Sequence, residues 1–488
     1  MHDPVEEAYA DVPARRGIYC NRTLNLRSIQ AIGYDMDYTL VHYRTAEWEA
    51  QAYEHLRGKL AERGWPVEDL EFRPDRVVRG LVIDTRCGNV VKANQFGYIK
   101  QAHHGTESLP FGEMRETYTR TLVDLSEPRW VFMNTLFSIS AAWMYQQLVD
   151  LLDADELPGP MSYENLWEEV GQALDAAHLE GMLKDEITSD PERYVQLDPE
   201  MPLALLDQKN AGNELVLITN SEWEYTRFMM EYAFDRFLPE GMTWRDLFRL
   251  SVVSADKPDF FSVEKPMFRL ATEDGLVRPV VGGIEEDGIY LGGHAGMVES
   301  YLGLSGDQIL FVGDHLFSDV NVSKKVMRWR TALVLRELER EIGAIAVSQD
   351  RQAEIRQKMD EKVELERKVA RLQLQIQRNE GDYAEDSDTP TDELRRQIQD
   401  HQQSIRDLDG AIAPLVIRDG KDFNDTWGYL MRSGNDKSLM TRQLERYADI
   451  YTSRVSNFLR YTPYVFFRAP RGSLPHDAVD ESPPSRTT

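Results

Sequence analysis

At 488 residues, with 42% apolar and 10% aromatic side chains, the chain exceeds one minimal core and can bury two or three folded domains. Its net charge of −27 argues against a nucleic-acid backbone or an anionic membrane as partner, and any phosphorylated small molecule must find cations supplied locally. Cys20 and Cys87 offer no disulfide framework, the acidic opening residues show no signal-peptide pattern, and no run approaches a membrane span, so a cytoplasmic location is expected.

In chain order, the first informative stretch is 31–40, AIGYDMDYTL. A short apolar run that reads as a buried strand delivers Asp35 and Asp37 to its carboxyl end, with the Thr39 hydroxyl beside them. Ligands of open α/β sheets bind outside the carboxyl ends of the strands, so one carboxylate is placed for attack and the other for proton transfer. Residues 45–78 carry helical spacing (Trp48, Tyr53, Leu56, Leu60) and then turns. Residues 81–85 and 90–93 flank a Cys87-Gly88-Asn89 turn, a hairpin signal. Residues 130–137 lead into an apolar helix through Trp143, Met144 and Leu148, and 162–187 form an amphipathic helical stretch that holds Asp175, His178 and Lys184.

A second strand, 214–218, ends in Thr219, Asn220 and Ser221 and is followed by a helix. A third, 248–253, ends in Ser254-Ala-Asp-Lys257-Pro258. A fourth, 308–312, ends in Gly313-Asp314 with Asp319 close behind. Strands separated by helical patterns, each ending in a hydroxyl, a lysine or a carboxylate, describe an α/β fold with a doubly wound, Rossmann-like parallel sheet and one active edge. Residues 351–415 differ: Ile355, Met359, Val363, Leu365, Val369, Leu372 and Ile376, and then Leu394 to Leu415, follow three-four spacing around a polar break at 379–390. This predicts a helical hairpin with arms of about 30–35 Å, read as a packing arm or oligomer contact; a homo-oligomer, dimer or tetramer, is expected. The tail after Pro475 is expected to be disordered.

The strand ends together supply what phosphoryl transfer through a carboxylate needs: an attacking carboxylate, an acid/base, donors for the equatorial oxygens, a cation, and acidic ligands for Mg²⁺. Asp35, Asp37 through its backbone carbonyl, and Asp314 suit octahedral Mg²⁺, with Asp319 as a further ligand or a partner of a metal-bound water. Thr219 and Asn220 could instead cap the helix that follows, although such a cap is itself an anion site.

DMDYT, LITNS, the Lys257 of ADKP and VGDHLFSD resemble the four motifs of the haloacid dehalogenase superfamily. The resemblance implies that Asp35 forms an aspartyl-phosphate, that Asp37 protonates the leaving group and then activates water, and that Thr219 and Lys257 hold the phosphoryl group. GYDMDYTLVHY, RGLVIDTRCGNVVK, NTLFS, LITNSEWEYT, GDHLFSD, RSG, RYADIY and LPHD further resemble the cytosolic purine 5′-nucleotidases, the IMP/GMP-selective branch, from about residue 17 to 477, interrupted by 351–410. That resemblance implies a purine nucleoside monophosphate held by Phe137 as the stacking aromatic, by Asp175, His178 and Lys184, and by Asn220 and Ser221. Gly171 stands where the family's human member has an arginine near the base, and Ser138 where it has an asparagine, so shallower selectivity for 6-oxopurines over AMP is expected.

The implied plan has core at 1–44 and 195–350, a cap and nucleoside-binding region at 45–194, the hairpin insertion at 351–415, a C-terminal helical part packed on the core at 416–477, and a tail at 478–488. Phosphotransfer to a nucleoside, a phosphatase for a sugar phosphate or pyrimidine nucleotide, and an interaction protein that recruits partners through the hairpin remain alternatives at this level.

Overall fold

The computed structural model describes residues 12–179, 182–286, 288–381, 383, 389–470 and 472. Their largest element is a ten-stranded sheet. From one edge its strands are Ile18–Cys20, Ile450–Thr452, Arg330–Val334, Ile309–Gly313, Ala31–Tyr34, Glu214–Ile218, Leu250–Val253, Ile289–Gly292, Met267–Leu270 and Val277–Pro279. Pairing is parallel from Ile450–Thr452 across to Ile289–Gly292, and antiparallel at both edges. The central strands are apolar on both faces and buried on both, as a parallel sheet covered by helices requires. The expected doubly wound α/β architecture is therefore present.

Register brings the reactive ends level. Gly33 pairs with Val216 on one side and Phe311 on the other, and the Asp35 N–H donates to the Val312 carbonyl at 2.9 Å. Gly33 is needed for this closeness: a Cβ there would lie 2.7 Å from the Phe311 ring.

The stretch between the first and second central strands forms a cap. The helix Thr45–Glu62 buries Trp48, Ala52, Tyr53, Leu56 and Leu60 at helical spacing and packs on Ile139–Asp153 and Tyr163–Leu179. The expected hairpin is there: Val82–Asp84 pairs antiparallel with Asn89–Ala93 inside a five-stranded sheet. The helical stretch read at 162–187 is helical over Tyr163–Leu179 and Met182–Ser189.

The hairpin helices run Gln349–Gly381 and Thr391–Arg418, 33 and 28 residues. At 1.5 Å per residue they measure about 50 and 42 Å, longer than the sequence pattern suggested, because polar flanking residues continue both helices past the apolar stripe. Among their described residues only Val369, Leu394 and Ile412 are buried, as expected where one thin seam joins two otherwise solvated helices. The C-terminal stretch, read as helical, also contributes a strand, Ile450–Thr452, that clasps the N-terminal strand Ile18–Cys20. The tail from 473 onward, expected to be disordered, lies outside the described residues. No helix among those described is long and apolar enough to cross a membrane.

Candidate active site

Three loops converge at the carboxyl edge of the central strands. Asp35 leaves Ala31–Tyr34, Lys257 follows Leu250–Val253, and Asp314 and Asp319 follow Ile309–Gly313. One oxygen from each of Asp35, Asp314 and Asp319 lies within 4.8 Å of the others, and all three residues are buried. The Lys257 ammonium sits 2.8 Å from both Asp35 Oδ1 and Asp319 Oδ1. Its loop bends sharply to deliver it there: Ser254 and Asp256 are left-handed, with φ of 46° and 61°. Asn220 then clamps the loop, its Oδ1 accepting from the Lys257 N–H at 2.7 Å and its Nδ2 donating to the Lys257 carbonyl at 3.0 Å. The Asn220 side chain, expected at the substrate, is thus engaged in holding the lysine.

Electrostatically the cluster is short of positive charge. Burial pushes the Asp35 carboxyl up to about 7 despite the pull of Lys257. Burial, with Asp319 and Asp35 close by, holds Asp314 well above the usual carboxylate range. Lys257 is held above its own range, because Asp319 and Asp35 together outweigh the burial that disfavours its ammonium. Asp314 Oδ2 is buried with no hydrogen-bond partner. Three close carboxylates facing one ammonium, with an orphaned oxygen among them, form an oxygen donor set that fits a divalent cation.

Asp37 points elsewhere. Its Oδ1 accepts from the Tyr43 hydroxyl and its Oδ2 from Ser221 at 2.7 Å, and its carboxylate is not one of the three that converge. Thr219 is fully buried, and its hydroxyl accepts from the Ser221 N–H at 3.1 Å, shaping the turn at the strand end.

Phe137 lies on a short turn of helix, half-buried, its ring edge-on to Tyr38 at 4.8 Å and to Trp48 at 5.5 Å. Tyr38 is three residues beyond Asp35, so Phe137 packs on the turn that carries the first two aspartates. Lys184 pairs with Glu222 and stands 4.9 Å above the Tyr225 ring, beside Ser221. Asp175 is exposed on the Tyr163–Leu179 helix, and the side chain of His178 lies outside the described residues.

Sequence reasoning left several contributors unassigned. Arg79, 2% exposed, donates to the Asp314 carbonyl at 3.2 Å and pairs with Glu337, tying the cap to the acidic loop. The His315 N–H donates to Asp319 Oδ2 at 3.1 Å. Gly313 makes room for Asp319: a Cβ there would fall 2.4 Å from its Oδ2. Tyr43 and Tyr225 meet, hydroxyl to hydroxyl, at 3.1 Å. Arg79, Tyr43 and Tyr225 all lie inside the motifs that carry the resemblance, but one sequence does not reveal which of their atoms meet.

A family model described as 5′ nucleotidase family matches residues 18–479. The chain belongs to the 5′ nucleotidase family. It is a 5′-nucleotidase-type hydrolase built on a largely parallel α/β sheet. Among curated proteins it is similar to a 5′-nucleotidase domain-containing protein of Dictyostelium discoideum, 25% identical over 479 residues, covering 94% of this chain and 74% of that one. It is also similar to 5′-nucleotidase domain-containing protein 2 of Homo sapiens, 26% identical over 483 residues, covering 94% and 85%. Among solved structures, an archaeal beta-phosphoglucomutase from a Pyrococcus strain aligns at a TM-score of 0.30 and 12% identity, covering 63% of this chain and 86% of that one.

Proposed function

We propose that this family member is a Mg²⁺-dependent 5′-nucleotidase that hydrolyses purine nucleoside monophosphates, IMP and GMP preferred, through an aspartyl-phosphate on Asp35. The observation that carries the reading is the convergence of Asp35, Asp314, Asp319 and Lys257 at one sheet edge, with Asp37 beside it but separately held.

In this reading an oxygen of Asp35 attacks phosphorus while Asp37 gives its proton to the departing 5′-oxygen, so the P–O bond breaks and the nucleoside leaves neutral. Asp37, now a carboxylate, takes a proton from water, the resulting hydroxide attacks the acyl phosphate, and Asp35 is released with inorganic phosphate. Lys257 and Thr219 hold the phosphoryl oxygens as charge redistributes. Asp35, Asp314 and Asp319, with the Asp37 carbonyl, would hold Mg²⁺, which when bound supplies the positive charge that this cluster lacks and steadies the phosphoryl oxygens. Phe137 supplies an aromatic wall for the base, with Asp175, His178 and Lys184 on the cap helices as further nucleoside contacts. The same acyl phosphate could pass to a nucleoside hydroxyl, and a homo-oligomer in the cytoplasm is the expected setting.

The test is phosphate release from a panel of nucleoside and sugar monophosphates with and without Mg²⁺. Release from IMP and GMP that exceeds release from the other phosphomonoesters and vanishes on chelation supports the reading. Preference for a sugar phosphate, or turnover indifferent to the metal, overturns it.

A further inference from the structure

Both oxygens of the Asp37 carboxylate are occupied by hydroxyls, Tyr43 on Oδ1 and Ser221 on Oδ2. A phenol has one hydrogen to give. With that of Tyr43 committed to Asp37, the 3.1 Å contact between the two tyrosines must run from Tyr225 to Tyr43. The chain of donors therefore has one direction, Tyr225 to Tyr43 to Asp37.

The far end of this chain is on the cap. The Lys184 ammonium stands 4.9 Å over the Tyr225 ring and pairs with Glu222, the residue after Ser221. The Met182–Ser189 helix thus reaches Asp37 by two routes: through Tyr225 and Tyr43 to Oδ1, and through Glu222 and the neighbouring Ser221 to Oδ2.

Asp37 needs such support. It lies beyond the last strand residue, on a turn whose next residue, Tyr38, is left-handed with φ 55°, and its side chain is only partly covered. An acid that must meet a leaving oxygen has to be held in one rotamer, since a displacement of about 1 Å can cost on the order of 100-fold in rate. Tyr43 is itself rigid: it is 3% exposed, with its ring against Tyr38 and Trp48.

We propose that Tyr43 is the positioning residue of the Asp37 acid/base and that, through Tyr225 and Lys184, it makes the aim of that acid depend on where the Met182–Ser189 helix sits against Glu222 and Tyr225. The proposal rests on the acid/base reading of Asp37 given above. Because Oδ1 is already committed as an acceptor, the proton that Asp37 delivers belongs on Oδ2, with the Ser221 hydroxyl turning to accept it.

The experiment compares IMP, whose alkoxide leaves poorly without a proton, with p-nitrophenyl phosphate, whose phenolate leaves well. Because Asp37 also activates water in the second half-reaction, which both substrates share, the rate read is leaving-group release in a single turnover at saturating substrate. Asp37→Asn is the reference and should lose far more of that rate on IMP than on the aryl ester. Tyr43→Phe keeps the ring and removes the donor. It should lower the single-turnover rate for IMP by about 10- to 100-fold with KM nearly unchanged, and leave that for the aryl ester within about threefold. Tyr225→Phe should show a weaker form of the same pattern, and the double variant should be no worse than Tyr43→Phe alone. Lys184→Met should raise KM for IMP in either background, through its own nucleoside contact, but should lower the single-turnover rate only where Tyr43 is present. Equal losses on both substrates in Tyr43→Phe, an unchanged single-turnover rate for IMP, or additive rate losses in the double variants would overturn the proposal. If Asp37→Asn itself treats the two substrates alike, the acid/base reading fails. If Asp37→Asn discriminates and Tyr43→Phe does not, only the positioning role falls.

Discussion

Replacing Lys257 with methionine probes the charge balance of the site most directly. Its ammonium lies 2.8 Å from Asp35 and Asp319, whose side chains are 12% and 0% exposed, so the change strands these two carboxylates beside Asp314. Removing one partner of a buried ion pair costs about 3–5 kcal/mol, because the other charge stays desolvated and unpaired. The carboxyls relieve part of this by taking up protons, toward which burial already biases Asp35 and Asp314, so the loss should be larger at pH 8 than at pH 5.5. A divalent cation relieves it differently. A ligand at 100 times its Kd adds about 2.7 kcal/mol to any fold that binds it, and the increment should be greater for the variant, whose carboxylates have lost their resident cation. The assay is denaturant unfolding of wild type, Lys257→Met and Lys257→Arg, in chelator and in Mg²⁺, with phosphate release measured alongside. Turnover of Lys257→Met should fall by about 100- to 1,000-fold even when Mg²⁺ restores its stability, because the donor to the phosphoryl oxygens is gone. Equal stabilisation of wild type and variant by Mg²⁺, or a variant as stable as wild type in chelator at pH 8, would refute the account of this cluster.

Gly313→Ala should drive Asp319 out of place, because the added Cβ would fall 2.4 Å from its carboxylate; weaker Mg²⁺ binding by calorimetry at a stability loss of about 1–3 kcal/mol is the expected result, and unaltered affinity counts against Asp319 as a ligand. Burial raises the Glu49 carboxyl to about 7 from an ordinary 4.5, against the Ser140 N–H it accepts from, so the folded state binds the extra proton between those values and stability falls as pH rises through them. Melting of Glu49→Gln should therefore exceed wild type at pH 8, by up to about 3 kcal/mol, with the gap closing toward pH 4.5; a constant gap would contradict the shift. A Cβ at Gly171 meets open space, so Gly171→Arg should fold normally and raise the IMP-to-AMP ratio of kcat/KM by roughly three- to tenfold, whereas Phe137→Ala should raise KM for nucleotides more than for p-nitrophenyl phosphate. Replacing 351–410 by a short Gly/Ser link should keep turnover within roughly tenfold at unchanged melting; a stable but inactive product would mean that the arm reaches the site.

Much of the site was legible in the sequence, for a physical reason. A parallel strand buried on both faces must be a short apolar run, so the polar residue that ends it stands out, and Asp35, Thr219, Lys257 and Asp314 were each marked by that change of character. Helical spacing likewise announced the Thr45–Glu62 helix and both arms of the hairpin. What one sequence does not carry is the distance between segments remote in the chain. The clasp of Ile450–Thr452 on Ile18–Cys20, the hold of Arg79 on the Asp314 carbonyl, and the use of Asn220 to pin Lys257 join residues from 37 to more than 400 positions apart. Asp37 shows the division most sharply: its spacing from Asp35 marked it as a second carboxylate of the site. Only the tertiary structure, which folds the turn after Asp37 against the segment that follows Glu214–Ile218, set Tyr43, Tyr225 and Ser221 around it and turned it away from the three acids that converge, because a side chain's direction is decided by whichever donors the fold brings within reach.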